Sequence, residues 1–189
     1  MTASTQVLLV SGSTRAGSTN TAVLRTAQAA APDGVTTVLY EELAHLPAFN
    51  PDDDYEPLPL PVASLRLHIA ECDAVLFCTP EYAGALPGSF KNLLDWTVGG
   101  GEIYGKPVAW INVSSVAAPT GGADAHASLA KVLGYVGADI VEAACARAPM
   151  TRAAVGTDGT VTDLEVRRQL AEVLQSLISH AQVSTSRRQ

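Results

Sequence analysis

The stretch Val7-Leu8-Leu9-Val10-Ser11-Gly12-Ser13-Thr14-Arg15-Ala16-Gly17-Ser18-Thr19-Asn20 decides the fold. Its first four residues are a short apolar run of the kind that forms a buried strand, closed by Gly and Ser. From about Thr19 to Ala31 the pattern changes to helical spacing. A buried strand feeding a helix through a tight, hydroxyl-rich turn is the opening unit of a parallel α/β sheet. The turn then sits at the carboxyl end of the strand, the edge at which open α/β sheets bind ligands.

The same unit recurs about seventy residues later. The apolar run Ala74 to Thr79 leads into Pro80-Glu81-Tyr82-Ala83-Gly84-Ala85-Leu86-Pro87-Gly88-Ser89-Phe90-Lys91-Asn92-Leu93-Leu94-Asp95-Trp96, whose second half is helical from near Gly88. Between these units, Val35–Tyr40 alternates as a strand should, and a helix is expected near Val62–Glu71. Beyond them come a strand over Pro107–Val113, a Gly-rich turn, a helix from Gly122 to Leu133 and a short strand near Asp139–Ala143. The terminal helix, Leu164 to Ala181, has Leu164, Leu170, Val173, Leu174, Leu177, Ile178 and Ala181 three and four apart. Five strands alternating with five helices predict right-handed crossovers and a doubly wound, flavodoxin-like five-stranded parallel sheet of order 2-1-3-4-5. One domain over residues 1–182 is expected, with 183–189 as a frayed tail. The segment Pro47–Pro61 has four prolines after position 50 and an Asp run, so it reads as a long functional or interfacial loop.

A formal charge of −7, without any Lys/Arg cluster, argues against a nucleic-acid partner. Cys72, Cys78 and Cys145 have no CxxC spacing and read as buried reduced thiols rather than disulfides or metal ligands. No apolar stretch approaches the roughly 18 residues of a membrane span, and no basic segment precedes Val7. The chain therefore reads as cytoplasmic, unprocessed and without membrane contact. His45, His68, His126 and His180 are scattered and suggest no triad or metal site.

Ser13, Ser18, Thr19 and Asn20, with backbone N–H groups at a helix start, can donate to phosphate oxygens without bringing negative charge. Gly12 and Gly17 let the backbone turn, and Arg15 adds a guanidinium fork. The spacing is neither Gly-x-Gly-x-x-Gly nor a P-loop, so nucleotide triphosphate hydrolysis is not supported. An ordinary turn with Ser18, Thr19 or Asn20 as helix cap is the competing reading for any single residue. The cluster as a whole favours phosphate.

Pro80, Glu81, Tyr82, Ala83 and Gly84 stand at the same sheet edge, where backbone amides and an aromatic ring could meet a planar heterocycle. Lys91 and Asp95, four apart, read as a surface ion pair, and Trp96 as core or interface. Ser114, Ser115, Gly121 and Gly122 offer hydroxyls and pliant backbone after the fourth strand. One loop for an anion and another for a flat ring suit FMN.

At these residues the chain resembles the NAD(P)H-dependent FMN reductases, flavodoxin-like enzymes that include quinone, azo-dye and chromate reductases. Gly12-Ser13-Thr14-Arg15-Ala16-Gly17-Ser18-Thr19-Asn20 matches the family's Gly-Ser-x-Arg-x-x-Ser-x-Asn. Pro80-Glu81-Tyr82-Ala83 and Pro87 to Trp96 match its Pro-Glu-Tyr-Asn loop and its Pro-x-x-x-Lys-Asn-x-x-Asp-Trp helix. The resemblance implies that Ser13, Arg15, Ser18 and Asn20 hold the FMN phosphate, that Pro80, Glu81 and Tyr82 line the ring, and that Ser115 belongs to a third flavin loop. Ala83 departs from the family Asn, which implies the loss of a side-chain contact. It further implies a homodimer or homotetramer, with the long loop and the Trp96 helix near subunit contacts.

The chemistry implied is hydride transfer from NADH or NADPH to flavin N5, then reduction of a quinone, free flavin or similar small acceptor in the same place, by a ping-pong mechanism. No protein side chain is expected to act catalytically. A flavodoxin-type electron carrier and a flavin-supplying component of a monooxygenase system are the alternatives.

Overall fold

Strand β1 (Thr5–Ser11) is paired in parallel on both sides, with β2 (Val35–Tyr40) and β3 (Ala74–Thr79). Strand β4 (Pro107–Asn112) lies beyond β3, and β5 (Asp139–Ile140) beyond β4, giving the order 2-1-3-4-5. The computed structural model of the chain describes residues 4–115 and 118–188.

Every residue of β3 and β4 is buried, as expected of parallel strands covered on both faces. Alternation along β1 divides the core. Val7 and Leu9 pack toward helices α1 (Thr19–Ala29) and α5 (Leu164–Arg188), against Val23, Leu24, Leu174 and Leu177. Leu8 and Val10 pack toward α2 (Leu60–Glu71), α3 (Gly88–Asp95) and α4 (Ala123–Tyr135), against Leu65, Phe90 and Leu129. Helices on both faces leave the strand ends as the sheet's accessible edge.

Two sequence expectations are corrected. The fifth strand is not one segment over 139–143: after β5 the chain makes a 3-10 turn at Glu142–Ala144 and returns as β6 (Ala146–Arg147), which pairs with Ile111 and Asn112 of β4. The run Val141-Glu-Ala-Ala-Cys-Ala146 is rich in Ala, which has little β-propensity, so the track is held by its neighbour more than by its own residues. The terminal helix continues to Arg188 instead of stopping near Ala181. Leu164, assigned to its apolar stripe, is 81% exposed at the helix start, whereas Leu170 to Ala181 of that stripe are buried. Gln189 lies outside the described residues.

The long loop is pinned by α3. Asn92 accepts from the Phe49 N–H (2.7 Å) and donates to the Pro47 carbonyl (2.8 Å), which also accepts from Trp96 Nε1–H (2.9 Å). Arg66 of α2, itself buried, donates to Asp54 (2.5 Å) and to the Trp96 carbonyl (2.8 and 3.0 Å). Asn92 and Trp96 thus serve the loop rather than the sheet edge. Lys91 and Asp95 make the expected ion pair. Among the described residues no helix is long and apolar enough to cross a membrane, and no His/Cys/Asp/Glu group could hold a metal. Cys72 and Cys78 are buried and Cys145 half-buried, all three as free thiols.

Candidate functional site

The loop from β1 to α1 turns because two glycines permit it. Gly12 donates its N–H to the Cys78 carbonyl (2.7 Å) and lies so close to the next strand that a Cβ there would stand 2.8 Å from Thr79 Oγ1 and 2.9 Å from the Phe90 ring. Gly17 takes φ +66°, a left-handed conformation that suits glycine. Ser18 caps α1, its hydroxyl accepting from the Asn20 N–H at 3.2 Å. No acidic residue occupies the first turn of α1, so the partial positive charge of the helix start is left for a ligand. Asn20, which borders the cleft, is 5% exposed, and its Oδ1 accepts from the Cys78 thiol at 3.4 Å. Arg15 is exposed and has no carboxylate partner among the described residues.

After β3, Tyr82 and Ala85 exchange both backbone hydrogen bonds (3.0 and 3.1 Å) across Ala83 and Gly84, at φ +50° and +71°. Two central residues at positive φ define a type I′ turn, for which Asn-Gly is the favoured pair. The family Asn at position 83 therefore answers a backbone requirement, and Ala83 meets it under strain. The turn presents Tyr82, 54% exposed, to the cleft.

Glu81 lines the cleft, but its carboxylate is committed elsewhere. It accepts from the Thr120 hydroxyl and from the Ala125 N–H (3.0 Å) in the first turn of α4. The N-cap of helix α4 is Gly122, which has no capping side chain, so Glu81 caps the helix from another loop. The Thr120 bond first, and the Ala125 bond second, hold the Glu81 carboxyl below its ordinary range.

The turn after β4 adds Ser115 and Thr120 to the lining, with Ser114, whose buried hydroxyl has no hydrogen-bond partner among the described residues. Gly121 and Gly122 stand at the α4 start rather than in the lining, with Gly122 at φ +84° against Asn112. Val116 and Ala117 of this turn lie outside the described residues. Below it, Trp110 Nε1–H donates to His126 Nδ1 (2.9 Å), and burial first, then Arg147, keeps the imidazole pKa below its usual value.

All of Ser13, Arg15, Ser18, Thr19, Asn20, Pro80, Glu81, Tyr82, Ala83, Gly84 and Ser115 border one cleft of about 720 Å³. Sequence reasoning missed its fourth side, Met150, Thr151 and Arg152. Those residues follow β6, where Ala148 and Met150 donate to the Asn112 and Ser114 carbonyls (2.9 and 3.0 Å). A strand placed at 139–143 points to the wrong loop, while Ala148-Pro149, ending a second short run, was the available signal.

A hydroxyl-rich loop with an exposed arginine at a helix start and a mixed polar and aromatic cleft at the carboxyl edge of this sheet define a flavodoxin-like protein. The chain belongs to the NADPH-dependent FMN reductase family, which it matches over residues 5–150. It is 37% identical to an NAD(P)H-dependent FMN reductase of Pseudomonas aeruginosa over 112 residues, 58% of this chain and 60% of that protein. A quinone reductase of Escherichia coli is 33% identical over 139 residues, covering 72% and 73% of the two chains. Among solved structures, the Paracoccus denitrificans flavoenzyme FerB, an NAD(P)H:(acceptor) oxidoreductase, superposes with a TM-score of 0.82 at 30% identity, covering 94% of this chain and 97% of its own.

Proposed function

We propose that the protein holds FMN in this cleft and uses it to oxidise NADPH or NADH and reduce a quinone, free flavin or similar small acceptor. Convergence carries the reading: five residues of the first loop, five of the second and Ser115 of the third meet at one cleft. The donor set fits the group. The α1 start offers unopposed N–H groups, Arg15 has no ion-paired carboxylate among the described residues, and Glu81, the acid that borders the cleft, is already engaged.

In this reading Ser13, Arg15, Ser18, Thr19 and Asn20 bind the phosphate, and the backbone of Pro80 to Gly84, with Tyr82 and Ser115, borders the ring. Bound FMN supplies two-electron transfer between nicotinamide and acceptor. The chain's own residues position it: the type I′ turn sets the Tyr82 ring, and the Glu81 tie fixes the spacing between the second and third loops. An open cleft that admits one flat substrate at a time leads to ping-pong kinetics. A homodimer or homotetramer in the cytoplasm accords with the family resemblance and with three free thiols.

The test is a fluorescence titration of the purified protein with FMN and riboflavin, followed by anaerobic mixing with NADPH or NADH. Tighter binding of FMN, then flavin bleaching by either nucleotide, is the expected result. A flavin left oxidised by both nucleotides but reduced by a separate reductase would instead identify an electron carrier.

A further inference from the structure

Half of the twelve lysines and arginines of this acidic chain are occupied. Arg25, Arg66, Lys91 and Arg168 pair with carboxylates, and Lys106 and Arg167 donate to backbone carbonyls. Arg15 and Arg152 do neither among the described residues, and both border the same cleft. They stand on opposite sides of it. Arg15 follows β1 and Arg152 follows β6, with β3 and β4 between, so their loops leave the sheet three strand spacings apart. At about 4.8 Å per spacing that is roughly 14 Å. A single phosphate seated on the α1 start and Arg15 lies at the far side of the cleft from Arg152. Thr151, also exposed and bordering the cleft, adds a hydroxyl on the same loop.

We infer that Arg152, with Thr151, receives a phosphate of the nicotinamide dinucleotide and so helps set which dinucleotide the enzyme uses. The inference rests on the proposed function, because a second phosphorylated ligand enters the cleft only if NAD(P)H is the reductant. A nicotinamide stacked near the flavin carries its pyrophosphate, and in NADPH its 2′-phosphate, away toward a rim. The β6 rim offers the Arg152 guanidinium, without an ion-pair partner among the described residues and suited to bidentate recognition of phosphate.

The experiment compares wild type, Arg152→Ala and Arg152→Lys, each loaded with FMN. Calorimetry measures NADP+ and NAD+ binding, and steady-state assays give KM for NADPH, NADH and a quinone. Loss of one charge-assisted contact at an exposed site should weaken dinucleotide binding about tenfold in the Ala variant, with partial recovery in Lys. Weakening confined to NADP+ and NADPH assigns Arg152 to the 2′-phosphate, and equal weakening for both dinucleotides assigns it to the pyrophosphate. Unchanged dinucleotide binding overturns the inference, as does an effect confined to FMN affinity or quinone KM. Wild-type protein that fails to bind FMN or oxidise either nucleotide overturns the underlying function instead, so the two failures are distinct.

Discussion

Replacing Ala83 isolates the energetics of the turn that carries Tyr82. Ala83 sits at φ +50°, where the Cβ of an L-residue crowds the following carbonyl at a cost of about 1–2 kcal/mol. Ala83→Gly removes that cost but loosens the unfolded chain, returning roughly 0.5–1 kcal/mol. The net expectation is a stabilisation of about 0.5–1 kcal/mol. Ala83→Asn tolerates the left-handed conformation without the entropic penalty and should gain a similar amount. Ala83→Val, β-branched, should lose more than about 1 kcal/mol. For a domain of this size each kcal/mol moves Tm by about 2–4 °C, so calorimetry on the apoprotein resolves the series. The reasoning also requires FMN affinity to be similar in Ala83→Gly and Ala83→Asn, because both act on the backbone. Stabilisation or tighter FMN binding by Asn alone would show that a side-chain contact, not turn geometry, explains the family residue.

Three further outcomes follow from the same site. Arg15→Ala should weaken FMN about tenfold while leaving riboflavin affinity unchanged, as read by fluorescence titration, since an exposed charge-assisted bond lies near the low end of its range. Glu81→Gln should cost about 1 kcal/mol at neutral pH through the lost α4 cap. Because the folded carboxyl titrates below its ordinary 4.5, that contribution is present above pH 4.5 and lost as pH falls through the lower folded value. Urea titrations of wild type and variant should therefore converge in acid; a gap that persists there would deny the ionised cap. Gly12→Ala should destabilise by about 1–3 kcal/mol in the same titrations, because Thr79 and Phe90, both fully buried, cannot yield to the new methyl group. An unchanged midpoint would mean the loop shifts freely.

Periodicity made β1, β3 and β4 legible because they are continuous apolar runs between turn residues, and the two loops after β1 and β3 came with them. The last track was not legible. Its Ala-rich residues have no strand preference of their own, and pairing with β4 imposes an extended path that a single-segment reading places too early. Arg152 was lost with it. Chemical type also misled at Glu81, whose carboxylate turns to an uncapped helix more than forty residues away, a partner no local pattern reveals. At position 83 the departure from the family residue was visible, but its meaning lay in a dihedral angle.

The broken fifth track divides the cleft into halves with different tolerance for change. The Arg15 side is framed by strands of six or seven residues, locked by Gly12 against Thr79 and Phe90. The Arg152 side hangs from two strands of two residues each and a few backbone bonds to β4. Ala144, Ala148 and Met150 anchor that side in the core, but Thr151, Arg152 and Ala153 are exposed, so the tip of this rim can be remodelled while the long-strand frame persists. A lineage built this way can exchange reductants or acceptors by drift at the exposed Thr151, Arg152 and Ala153, while Met150 and Ala154 beside them stay tied to the core.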